Sequence, residues 1–114
     1  MNNSEFLDLM EQIDKHLASN KAFVGNPKRM ADIENAARIA STLFEHVDIS
    51  MSDDLLQIGS LALRLDFYDV IVRGENEINA FIELISKADN FEIGSLDNER
   101  TRLSIMFQNA LVRL

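Results

Sequence analysis

LLQIGSLALRLDFYDVIV, running from Leu55 to Val72, is the stretch on which the fold turns. Wound as a helix, it sets Leu55, Ile58, Ala62, Leu65 and Val72 on one side and Leu56, Leu63, Phe67 and Val70 on the neighbouring side. Only Gln57, Ser60 and Arg64 mark a wet strip. A helix apolar over more than half its circumference needs neighbours on several sides. The spacing therefore predicts an all-α protein, a compact and mostly antiparallel bundle of four to five helices with the 52–73 helix at its centre. Asp66 and Asp69 fall inside the apolar arc. Gly59, in mid-helix, costs about 1 kcal/mol against alanine and is read as a mark of close helix packing. Gly74 supplies the residue that ends the helix.

On the N-terminal side, Phe6, Met10, Ile13 and Leu17 repeat on one face of a helix capped by Asn3 or Ser4 and ending near Ala18. Ser19 to Pro27 reads as a loop. Asn26 before Pro27 is a strong helix start, since asparagine caps and proline at the first position forfeits an amide that had no partner. Met30, Ile33, Ala37, Ala40, Phe44 and Val47 then follow at spacings of three and four. Ala36, Ala37 and Ala40 would let the central helix lie close. Asp48 to Met51 reads as the turn, with Ser50 and Asp53 at capping-box spacing or Ser52 as the cap.

Beyond the centre, Ile78, Phe81, Ile82, Leu84, Ile85 and Ala88 predict a helix over Asn76 to Ala88. DNFEIGS, Asp89 to Ser95, reads as a loop whose Phe91 and Ile93 tuck onto the core. A last helix from Asp97 carries Leu103, Met106, Phe107, Ala110, Leu111 and Leu114, so the apolar stripe reaches the final residue and either docks on the bundle or is covered by a partner.

The 114 residues suit a single domain, with 46% apolar and 26% charged residues placing it among folded proteins. The formal charge of −8 is spread along the chain and disfavours nucleic acid and anionic membranes, which bind through clustered Lys and Arg. Cysteine is absent, which removes disulfides and thiolate chemistry. The start lacks a basic n-region and an apolar h-region, and Arg64, Asp66 and Asp69 interrupt the most apolar run. A cytoplasmic protein without a membrane span is expected.

Glu45 with Asp48 (E-x-x-D) and Asp66 with Asp69 (D-x-x-D) are the sharpest candidates for chemistry. This spacing resembles the carboxylate sets that hold magnesium in all-α nucleotide pyrophosphohydrolases of the MazG kind, and the resemblance implies a metal-dependent hydrolase using those four residues. Across antiparallel helices, however, Asp66 would lie about 20 Å from the turn at Asp48, too far to share a metal. An ion pair with Lys28 or Arg29 is the simpler role for Asp66 and Asp69. His16 and His46 lie in neither E-x-x-H nor H-x-x-x-H spacing and read as surface residues. Arg38 and His46 miss the shorter spacing of all-α ribonucleases, and no glycine-rich phosphate loop or nucleophile elbow is present. Arg100, Arg102 and Arg113 read as a mixed surface.

No catalytic, cofactor or metal residue is therefore assigned. The expected function is a non-catalytic protein–protein interaction module, either a homodimer or a partner-sheltering subunit such as a chaperone, immunity or inhibitor protein. Its candidate interface comprises Asp66, Tyr68, Asp69, Met106, Leu111 and Leu114.

Overall fold

In the computed structural model, which describes residues 3–19, 21–54, 57–70, 74–95 and 101–114, the decisive stretch is a strand. SLALRLDFYDV alternates with a period of two. Leu61, Leu63, Leu65 and Phe67 point into the core at 0 to 8% exposure, while Arg64, Asp66 and Tyr68 between them point the other way. The chain is a mixed α/β fold of three helices and a curled antiparallel five-stranded sheet, which overturns the all-α bundle and its central 52–73 helix.

The elements in chain order are α1 (Asn3–Ala18), β1 (Phe23–Gly25), α2 (Pro27–Leu43), β2 (Phe44–Asp53), β3 (Ser60–Val70), α3 (Glu75–Lys87), β4 (Asn90–Ser95) and β5 (Thr101–Arg113). The sheet runs β1-β5-β3-β2, and β4 also pairs with β5. Thr101 to Met106 of β5 face β4, and Leu111 to Arg113 face β1, so both short strands lie along one side of β5 while β2 forms the opposite edge.

Three helix assignments agree with the sequence pattern. α1 has the expected limits, the Asn26 side chain accepts from the Lys28 amide at 3.1 Å to cap α2 behind Pro27, and α3 differs from expectation by one residue at each end. The others fail for one reason: leucine-rich or methionine-rich strands with apolar residues two apart were wound at 100° per residue. α2 stops at Leu43, and Phe44 is already extended at φ −129°, ψ 143°. HVDISMSD alternates cleanly, with Val47, Ile49 and Met51 packed on the core and His46, Asp48, Ser50 and Ser52 exposed, so the expected turn and capping box lie inside β2. The final segment is β5, where Leu103, Ile105 and Phe107 are enclosed and Arg102, Ser104 and Met106 lie on the other face. The expected loop DNFEIGS contains β4, whose Phe91 and Ile93 remain about half exposed rather than tucked in.

Gly59 is a turn residue at φ 83° in the connection from β2 to β3. Hydrogen bonds from the Asp54 amide to the Ser60 carbonyl (3.1 Å) and from the Gln57 amide to the Asp54 carbonyl (3.3 Å) close that turn. Further along, the pairing of β3 with β5 slips between Leu61↔Leu111 and Leu63↔Phe107, and Asn109 at φ 54° sits in the slip. Its amide donates to the buried Asp54 carboxylate at 2.5 Å, and its carbonyl accepts from Asn26 Nδ2 at 2.9 Å. One polar knot thus joins the β2–β3 turn, the cap of α2 and the bulge of β5.

All three helices contribute to one core with the inward side chains of β3 and β5. Ala36, Ala37 and Ala40 are enclosed, as a helix lying close requires, and α2 packs against α3 and α1 as well as on β5 and β2; the neighbour expected from residues 52–73 is a turn and a strand. The other sheet face carries no helix among the described residues. No described helix is long and apolar enough to cross a membrane.

Candidate functional site

The helix-free face is ordered by strand register. Across β2, β3, β5 and β4, His46, Tyr68, Arg102 and Gly94 form one row; Asp48, Asp66, Ser104 and Glu92 the next; and Ser50, Arg64, Met106 and Asn90 a third. Directly opposite residues on adjacent strands stand about 5 Å apart. Asp48 and Asp66 are therefore neighbours, not the separated pair that antiparallel helices would have made.

Each carboxylate in the middle row has a nitrogen-bearing side chain beside it. Arg64 Nε donates to Asp66 Oδ1 at 3.1 Å, His46 Nε2 lies 3.3 Å from Asp48 Oδ1, and Arg102 Nη2 lies 3.8 Å from Glu92 Oε1. The Ser104 hydroxyl donates to Asp66, and Arg64 Nη2 reaches the same hydroxyl at 3.3 Å. Asp66 is thus mostly enclosed, with Oδ1 shared between Arg64 and Ser104. The Tyr68 hydroxyl has a raised pKa, through partial desolvation first and then the nearby Asp66 and Asp48 carboxylates. Among the described residues no group of three or more His, Asp or Glu converges where it could hold a metal ion. The Glu45 side chain lies outside the described residues.

The expected partners of Asp66 are corrected: Arg29 meets Asp32 at 3.1 Å and Asp89 at 2.5 Å, and Arg64 takes the role proposed for it. Of the candidate interface, Asp66, Tyr68 and Met106 share the helix-free face, and Asp69 sits at the end of β3 with φ 60°. Leu111 is fully enclosed and offers no surface; Leu114 is exposed, its amide held by the Ala22 carbonyl at 3.0 Å. His16 Nδ1 lies 2.9 Å from the Gln12 carbonyl within α1. Arg100 lies outside the described residues, and Arg113 is exposed.

Two further surfaces escaped the sequence reading. The first, the α3–β4 flank, comprises exposed apolar side chains on two consecutive elements, Ile78 (49%) and Ile82 (59%) of α3 and Phe91 (54%) and Ile93 (52%) of β4. Phe91 and Ile93 lie opposite Ile105 and Leu103 and so belong to the helix-bearing face, at the edge where helix cover ends. The alternation F-x-I in NFEIGS was the signal available for them. The second is a cleft of about 540 Å³ between α1 and the start of β2. Phe44, Val47 and Phe67 line its apolar part, and Glu5, Asp8 and Gln12 of α1 line its polar side. Elements far apart in sequence build it, and no local pattern announces it.

Comparison of the chain with protein-family models, curated proteins and solved structures finds no match.

Proposed function

We propose that the protein is a non-catalytic interaction module that pairs with a second copy of itself through the α3–β4 flank. The observation that carries this reading is the exposure of Ile78, Ile82, Phe91 and Ile93 on two consecutive elements. At about half exposure each contributes roughly 100 Å², for a total on the order of 400 Å², within the range of the largest apolar patches on monomeric proteins, which are often functional. Among the described residues β4 (Asn90–Ser95) pairs with β5 alone, and a strand edge beside apolar side chains is a ready site for pairing. The apolar part alone is about half of the roughly 800 Å² per partner of a standard interface, and the strand edge adds backbone pairing to it. These elements carry Glu75, Glu77, Glu83 and Glu92 against Lys87, with Arg102 of β5 beside Glu92, so a copy of the same flank mates through its apolar side chains and strand edge rather than through charge.

Light scattering coupled to size exclusion tests the reading. The expected mass is twice the 12.9 kDa of the chain. Phe91→Asp, on a half-exposed side chain, is expected to give a folded monomer by circular dichroism. A wild-type chain that stays monomeric at concentrations on the order of 100 μM would remove the proposal.

A further inference from the structure

We infer that the opposite edge of the sheet, β2 with the cleft beside α1, receives an extended basic segment of another protein as an added strand. The inference rests on the reading of the chain as an interaction module, but not on its being a dimer.

β2 is the terminal strand of the sheet, ten residues long, with β3 on one side and no strand on the other among the described residues. Edge strands that are meant to stay unpaired are commonly short, bulged, or guarded by lysine or proline. β2 has none of the last two, and its register with β3 runs from Phe44↔Val70 to Asp53↔Leu61 without a slip. Its inward side chains are incompletely covered: Val47, Ile49 and Met51 pack against the core yet stay partly exposed. The cleft opens beside Val47. Both Val47, which faces the helices, and His46, which faces away, line it, so the cleft opens around the strand edge itself. A strand laid along β2 could place one large apolar side chain over Phe44, Val47 and Phe67 while its backbone completes the ladder.

Charge selects the occupant. Glu5 and Asp8 border the cleft and Asp48 lies along the strand, all three exposed, while Asp53 at the far end of β2 shares a pocket with Lys21. No lysine or arginine is among the cleft-lining residues. A second β2 would bring the same carboxylates into opposition, in a chain of net charge −8. A segment with Lys or Arg flanking a Leu or Phe meets them with opposite sign.

The probe is a fluorescein-labelled synthetic peptide of alternating Thr and Val with a central Leu and two lysines at each end. A control replaces the lysines with glutamate. Anisotropy should rise with the lysine peptide and not with the control, and Glu5→Lys/Asp8→Lys, both on exposed sites of α1, should weaken binding about tenfold. Hydrogen exchange should slow in the amides of β2 when peptide is bound. Absence of binding, equal binding by the double variant, or binding without protection of β2 would each overturn the inference. The mass measurement reads the other flank, so either result can fail alone.

Discussion

Tyr68 is the only tyrosine in a chain without tryptophan, so its phenolate absorbance reports on a single point of the helix-free face. Its pKa is raised above 10.0 by desolvation first and by Asp66 and Asp48 next. A near-ultraviolet titration is therefore expected to place the midpoint above 10.0, and Asp48→Asn should bring it part of the way back, since the desolvation remains. The folded state holds this proton more tightly than the unfolded chain. Its contribution to stability is constant below the unfolded value and is lost as pH rises through the raised one. The polar knot makes a second residue-level case. Asp54→Ala leaves the Asn109 amide without its acceptor and is expected to cost about 1–3 kcal/mol in urea unfolding. Asn109→Gly should cost far less, because φ 54° suits glycine. Equal losses for the two would mean that the side chain of Asn109, not its backbone geometry, holds the bulge.

At the scale of the element, Gly59 separates the two ways of reading this sequence by the sign of one substitution. Inside a helix, Gly59→Ala would gain about 1 kcal/mol. At φ 83°, with no atom within 4 Å of the added Cβ, the same change meets open space but a forbidden backbone, and a loss of about 1 kcal/mol or more is expected in thermal or urea melts. That ambiguity explains what was legible. α1, the start of α2 and α3 carry local signals that only helices use: Asn26 before Pro27, acidic first turns, and apolar residues three and four apart with polar residues filling the rest. β3 and β5 carry leucines, which strand and helix both accept, and at 100° per residue a two-residue repeat smears into the broad apolar arc that suggested a central helix. The misplaced Asp66 was the discrepant residue, since alternation sends it to the opposite face without conflict. The same error hid the candidate surfaces. Treating β4 as a loop folded Phe91 and Ile93 onto the core, and ending a turn at Met51 erased the edge on which the cleft opens. Tyr68, Asp66 and Met106 were found as surface candidates, but their shared face follows from strand register, which composition does not reveal.

For the whole molecule, net charge sets the two proposed contacts against each other. Each copy carries a formal charge of −8, so bringing two together is opposed by long-range repulsion, whatever the local balance on the α3–β4 flank. The Debye length falls from about 30 Å at 0.01 M salt to about 10 Å at 0.1 M, which screens that repulsion while leaving apolar burial intact. Self-association is therefore expected to tighten as salt rises. The basic strand on β2 is drawn by the same field, and screening weakens that attraction. Its affinity for the lysine peptide is expected to fall over the same interval. Light scattering across a dilution series and peptide anisotropy, both run from low to moderate salt, should give slopes of opposite sign. Self-association that weakens with salt, or peptide binding that does not, would contradict the charge argument for the contact concerned.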